Sequence, residues 1–235
     1  MQRMFYDICS FLQLFLLLFT TILYHIGMSN PNISSTRDYV PYEGVGSKFL
    51  VFAIPKIGQF FTWVSTLSQA LYLFLQTFSP ASISTLFPQI STSNNLLPFT
   101  SIAILGYIFM IIGGFGRIWC YRILGTFFTF EITIRDTHKL IKTGPYAYIR
   151  HPSYMFVCIL AFGMFFVHQR LANLFPNSTW LNIQFGPVGF FLFCLVMIVT
   201  IKRRVTREEE ELAKNFGREW IEYASKTKRF IPKII

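Results

Sequence analysis

Thr143-Gly-Pro-Tyr-Ala-Tyr-Ile-Arg-His-Pro-Ser-Tyr154 concentrates three tyrosines, an arginine and a histidine between two apolar segments of membrane length. Gly144-Pro145 marks a turn, and Pro152 excludes its neighbour His151 from the helical region, so residues 146–151 are expected as a short irregular segment or a single turn. An apolar helix can then start with Pro152 in its first turn, which sets Tyr146, Tyr148, Arg150, His151 and Tyr154 at one membrane–water interface. A second concentration follows the last apolar run. There Arg204 and Glu208 extend backward, in steps of four, the helical stripe of Leu212, Phe216, Trp220 and Tyr223. The chemistry these types offer is hydrogen bonding and charge pairing of a bound polar group. The bland alternative is an aromatic belt with a snorkelling arginine, plus a surface ion pair between Arg204 and Glu208 worth about 0.2–0.5 kcal/mol. It accounts less well for His138 and His151 on either side of a Gly-Pro turn.

Other chemistries have no residues to carry them. The sequence has no nucleophile elbow, no phosphate-binding loop and no zinc spacing, and Gly113-Gly-Phe-Gly116 lies inside an apolar helix with no strand before it, so close helix packing explains it better than a dinucleotide site. Cys9, Cys120, Cys158 and Cys194 stand singly in apolar runs and read as buried small hydrophobes, with neither a metal site nor a disulfide framework in their spacing. No row of intramembrane acids suggests a proton-coupled transporter.

The elements that must position these blocks are membrane spans. With 53% hydrophobic and 14% charged residues the chain is too apolar for an ordinary soluble domain. Runs able to cross about 30 Å of hydrocarbon fall near residues 5–27, 57–79, 98–119, 153–172 and 183–201. The expected fold is all-α: a polytopic integral membrane protein with about five transmembrane helices and a cytoplasmic C-terminal amphipathic helix. Residues 48–55 are apolar but too short to cross alone, and His168, Gln169 and Arg170 interrupt the fourth run. The first run, preceded by Arg3, is expected to be an uncleaved span, because it is long and no clear small-residue cleavage site follows it.

The net charge of +10 resides at the ends of apolar runs, so it reads as topology and not as a nucleic-acid surface. Arg122, Arg135, Lys139, Lys142 and Arg150, and then Lys202, Arg203, Arg204 and Arg207, place both polar blocks on the cytoplasmic side. The uncharged segment 80–97 and the sequon Asn177-Ser-Thr179 fall on the lumenal side, whereas Asn32-Ile-Ser34 does not. Tyr39-Val-Pro-Tyr42 is expected at the membrane surface, and Glu209, Glu210, Lys214 and Arg218 on a solvated or headgroup-facing helix surface. Residues 1–119 read as N-terminal scaffold helices and residues 120–235 as the region that carries the chemistry, within one integrated membrane domain.

Taken in order, His138-Lys-Leu-Ile141, Thr143-Gly-Pro-Tyr146, Arg150-His-Pro-Ser-Tyr154 and Arg204-x-x-x-Glu208-Glu209-x-x-Leu212-x-x-x-Phe216-Gly217 resemble the isoprenylcysteine carboxyl methyltransferase family, over about Gly116 to the C-terminus. The resemblance implies S-adenosyl-L-methionine as cofactor and prenylated protein C-termini, presented from the lipid bilayer, as substrate. No metal is expected. It implies that His138, Lys139, Leu140, Ile141, Tyr146, His151, Pro152, Ser153, Tyr154 and Glu208 bind the cofactor and that Arg204 faces the substrate carboxylate as the catalytic, substrate-binding residue. It also implies a multi-pass protein of the endoplasmic reticulum membrane with its site facing the cytoplasm. No role is carried onto Thr129, Phe130, Glu131 or Thr133. The alternatives are methyl transfer to a phospholipid amine or another amphiphile and, from a different class, a sterol-type reductase or a non-catalytic membrane scaffold.

Overall fold

The computed structural model describes residues 2–32, 45–79, 82, 100–130, 138–174, 179 and 186–230. Among them every regular element is helical: α1 (Gln2–Gly27), α2 (Val45–Phe78), α3 (Ser101–Leu124), α4 (Pro152–Leu174) and α5 (Pro187–Lys226), with short 3₁₀ turns at Gly125–Phe127 and Gly144–Ala147. Most of segment 80–97, the sequon asparagine Asn177, residues 33–42 and residues 131–137 lie outside the described residues.

Three stretches are long and apolar enough to cross a bilayer: Ile8–Gly27, Ser101–Phe127 and Pro152–Gln169. The other two sequence-predicted runs sit inside longer helices. Residues 48–55 form no separate element; they belong to α2, which continues through Pro55 for 34 residues. The run expected from residue 183 takes helical form from Pro187, placed where a missing N–H is harmless, and α5 then continues for 40 residues into the charged tail. The tail is not one uniform face, because Gly217 adopts φ 48° and ψ −117° and breaks the helix between Phe216 and Trp220. That backbone geometry suits glycine, which has no Cβ to clash.

Close packing of α3 on α4 sets the frame. A Cβ on Gly113 would lie 2.5 Å from the backbone nitrogen of Leu160, and one on Gly163 would lie 2.6 Å from that of Met110. Both glycines therefore admit backbone-to-backbone approach, as the small-residue reading of Gly113-Gly-Phe-Gly116 anticipates. Met110, Leu160 and Val167 are buried at this seam, together with Leu17 and Tyr24 of α1. The polar interruption at His168 leaves α4 intact, because the ring is fully buried with Nδ1 2.9 Å from the Gln69 amide of α2. Thr21 and Thr66 likewise pair at 2.7 Å between α1 and α2. Large apolar side chains face outward instead, among them Phe15, Phe60, Phe115 and Phe191, an exterior suited to lipid.

The cysteines depart from expectation in part. Cys120 is buried, whereas Cys9, Cys158 and Cys194 are half-exposed free thiols. Their helices face an apolar exterior, where a thiol needs no burial by protein.

Substituting Gly113 with Ala should lower the stability of the detergent-solubilised protein by about 1–3 kcal/mol through overpacking against α4. A thermal unfolding midpoint equal to the parent's would refute this account of the seam.

Candidate functional site

Residues 138–151 lie between α3 and α4, and their course depends on two turns. Gly144 takes φ 61° and opens the 3₁₀ turn Gly144–Ala147, with Thr143 extended before it. The Tyr146 amide closes the turn on the Thr143 carbonyl at 3.2 Å. Helix α4 begins at Pro152, so Arg150 and His151 remain outside it with amides to satisfy. The C-terminal segment supplies acceptors: Arg150 N–H donates to the Lys228 carbonyl at 2.7 Å and His151 N–H to the Arg229 carbonyl at 3.0 Å. Ile149 and Lys228 form an isolated parallel bridge there. The Tyr223 hydroxyl donates to the Tyr146 carbonyl at 2.6 Å and binds the last turn of α5 to the same loop.

A cavity of about 250 Å³ opens beside this loop. Its lining includes His138, Lys139, Leu140, Ile141, Tyr146, His151, Ser153, Tyr154, Arg204 and Glu208. Of the sequence-predicted site residues, Pro152 alone stands apart, fully buried behind the wall. Leu212, Trp220 and Tyr223 of the expected stripe also face the cavity, whereas Phe216 sits beside His138 with ring centroids 5.9 Å apart.

Arg204 and Glu208 meet on one hydroxyl. Arg204 Nε donates to Tyr154 Oη at 2.6 Å, and that hydroxyl donates to Glu208 Oε2 at 2.9 Å. A further guanidinium nitrogen donates to the Phe130 carbonyl. The two charges, one helical turn apart on α5, are thus fixed against α4 and are not left as a solvated pair. Burial pushes the Tyr146 phenol well above its usual range, with Cys120 and Glu208 adding to the effect, so it remains neutral.

Glu209 is where the sequence reading fails. Expected on a solvated surface, its side chain is 12% exposed and accepts from three sides. Arg150 Nε donates at 3.0 Å, His151 Nε2 lies at 3.1 Å, and Arg229 donates through two nitrogens at 3.0 and 2.7 Å. Burial alone would raise this carboxyl; the hydrogen bonds from His151 and Arg229 and the charges of Arg150 and His151 outweigh it and hold the group at about 2. Its position directly after Glu208 placed it on another face by helical periodicity, and no local signal pointed to partners 20 to 59 residues away. Arg150, in turn, does not snorkel. It donates to the carbonyls of Ala224 and Thr227 and thereby caps α5, with its guanidinium 5.9 Å from the Trp220 ring.

Arg117 also escaped notice, a charge inside an apolar run. It is 6% exposed, lines the cavity, donates to the Gly27 and Ser153 carbonyls and the Ser153 hydroxyl, and lies over the rings of Tyr121, Phe128 and Phe130. Thr129 and Phe130, which received no role from the sequence, are lining residues, as are Met28 just after α1, Ile54 and Pro55 of α2 and Met197, Thr200 and Ile201 of α5.

Fold and site together define a helical membrane protein with a polar-ended, apolar-walled cavity beside the helix ends. Residues 103–214 match the Isoprenylcysteine carboxyl methyltransferase (ICMT) family, so over that stretch the resemblance read from the motifs is shown. The protein-S-isoprenylcysteine O-methyltransferase of Saccharomyces cerevisiae is 28% identical over 153 residues, which cover 64% of this chain and 57% of that protein. A probable protein-S-isoprenylcysteine O-methyltransferase of Oryza sativa subsp. indica is 33% identical over 135 residues, 57% of this chain and 62% of that protein. Protein-S-isoprenylcysteine O-methyltransferase B of Arabidopsis thaliana is 30% identical over 129 residues, 54% and 57% of the two chains. The matched region thus spans about three fifths of the length of these relatives.

The Glu209 junction has a definite acid dependence. Its folded pKa is depressed from 4.5 to about 2, so the stability it contributes is complete above pH 4.5 and is lost as pH falls from there through about 2. Glu209→Gln should cost about 2 kcal/mol at pH 7 and flatten the acid limb of stability against pH. Parallel acid limbs for variant and parent would contradict this assignment.

Proposed function

We propose that the chain is a protein-S-isoprenylcysteine O-methyltransferase, which transfers a methyl group from S-adenosyl-L-methionine to the C-terminal carboxylate of prenylated proteins. The observation that carries this reading is the Arg204–Tyr154–Glu208 arrangement: opposite charges on one cavity wall, held by a single hydroxyl. Bound S-adenosyl-L-methionine supplies an electrophilic methyl group on a sulfonium. The donor set suits such a cation, since a carboxylate, Glu208, and aromatic groups, Phe127, His138 and Tyr154, face one cavity. His138, Lys139, Leu140, Ile141, Tyr146, His151, Ser153, Tyr154 and Glu208 would hold it, with Pro152 setting the start of α4 behind them.

Arg204 receives the acceptor carboxylate. A guanidinium binds a carboxylate in a two-pronged geometry, and engagement of Arg204 with Tyr154 and Phe130 removes its rotamer freedom beforehand. An α-carboxyl has a reference pKa of about 3.3–3.7 and is already ionised, so no residue of the chain has to accept a proton. The protein's contributions are alignment and exclusion of the water that would solvate the carboxylate. Residues 1–119 act as scaffold helices and residues 120–235 as the catalytic region, although Met28, Ile54, Pro55 and Arg117 add to the cavity wall. Helix α2 and the apolar half of α5 serve as the fourth and fifth spans in an endoplasmic reticulum membrane. The cationic residues around both polar blocks support a site on the cytoplasmic face. The prenyl chain arrives laterally from lipid past Met197 and Ile201.

Membranes containing the protein, incubated with labelled S-adenosyl-L-methionine and a farnesylated cysteine analogue, should yield base-labile methyl ester. Arg204→Ala should reduce that product by roughly a hundredfold or more while cofactor affinity changes by less than about threefold. Equal loss of cofactor binding would overturn the role given to Arg204. A labelled phospholipid resistant to base release would instead favour an amphiphile methyltransferase, and absence of cofactor binding would favour a reductase or a scaffold.

A further inference from the structure

The segment Thr227–Phe230 lies beyond the residues matched by the family and is joined to the cavity wall from four directions. Its carbonyls accept the Arg150 and His151 amides, its Thr227 carbonyl accepts the Arg150 guanidinium, Arg229 forms two hydrogen bonds to Glu209, and the Phe230 ring lies 6.1 Å from that of His151. Arg150 and His151 precede Pro152 and have no helical carbonyl of their own to bind. They depend on this strap for backbone order. Arg229 is half-exposed, so its bonds to Glu209 are not needed to satisfy a buried cation. What they do is fix one oxygen of Glu209 while the other holds Arg150 and His151.

We propose that Thr227–Phe230 is a strap that orders the Arg150–His151 part of the cavity wall and that Arg229 is a positioning residue for the methyl-donor pocket. The proposal rests on the functional reading above for its ligand. Its mechanical part is independent of that reading. With the strap released, Arg150 and His151 lose their amide partners, and Glu209 loses one of the groups that orient it beside Glu208. The acceptor clamp at Arg204, fixed from Tyr154 and Phe130, is not touched by the strap, so the effect falls on donor binding and not on turnover.

The test uses the full chain in detergent or nanodiscs, with Arg229→Gln, Arg229→Lys and, as a charge-loss control, the exposed Arg218→Gln. Hydrogen exchange of the Arg150 and His151 amides should quicken by about two- to fivefold in Arg229→Gln, and the Kd for S-adenosyl-L-methionine and its KM should rise by a similar factor with kcat unchanged. Arg229→Lys, which keeps the charge but loses the two-pronged bond, should recover part of both. Exchange and affinity in Arg229→Gln equal to the Arg218→Gln control would overturn the strap, as would a fall in kcat at unchanged Kd. Should the parent protein bind no S-adenosyl-L-methionine, the functional reading fails, and the exchange measurement still decides whether the strap exists.

Discussion

Glu209 receives Arg150 and His151 from the loop before α4 and Arg229 from the segment after α5, so one carboxylate joins three separate parts of the chain. The constraint behind this junction is that a carboxylate nearly removed from water must be matched by donors, or it would protonate. Two of the donors it gathers also have a second task. Arg150 caps the last turn of α5, and the backbone of His151 sets the point at which Pro152 can start α4. The junction thus fixes the loop ahead of α4 against the end of α5, while the contact of Tyr154 with Arg204 at 2.6 Å joins the two helices separately.

The opposite seam is fixed by a different physics. Gly113 and Gly163 allow α3 and α4 to approach until backbone meets backbone, and side chains of any size would separate them. That approach brings Arg117 against Ser153 at the head of α4, so a packing device in the apolar layer determines where the polar wall begins. The buried guanidinium is accommodated by carbonyls, a hydroxyl and three aromatic rings, a set that delocalised positive charge tolerates better than an ammonium would. The two seams are therefore complementary. One fixes the helix axes and the other fixes their ends.

Legibility in the sequence followed the range of each interaction. The Gly-Pro turn, the helix start at Pro152 and the stripe through Arg204 and Glu208 rest on neighbours within a few residues, and these appear where the pattern put them. Ten of the eleven residues assigned from the motifs line one cavity, because the motif order already encoded which helix ends converge. Glu209 and Arg117 were not legible in the same way. Their partners lie 20 to 90 residues away, and a charged residue in a run of glutamates or inside an apolar helix looks alike whether it is solvated or satisfied by distant groups. The break at Gly217 was hidden for another reason: the spacing of four from Phe216 to Trp220 runs straight across it and simulates a continuous face that the backbone does not keep.

On the proposed reading, the position of the cavity follows from the conflict between its two ligands. A prenyl chain gains about 0.8 kcal/mol per buried CH₂ in lipid, whereas a charged methyl donor is confined to water, so the two can meet only at the interface between them. An interface built from helix ends provides this, since Met197 and Ile201 continue the apolar exterior into a cavity that Arg204 and Glu208, farther along the same helix, also line. Removal of water at that boundary strengthens the attraction of Arg204 for a carboxylate, but it equally raises the cost of any charge left unmatched. The Tyr154 hydroxyl answers both demands. It accepts from one charge and donates to the other, which lets a cation and an anion share a wall before either ligand arrives.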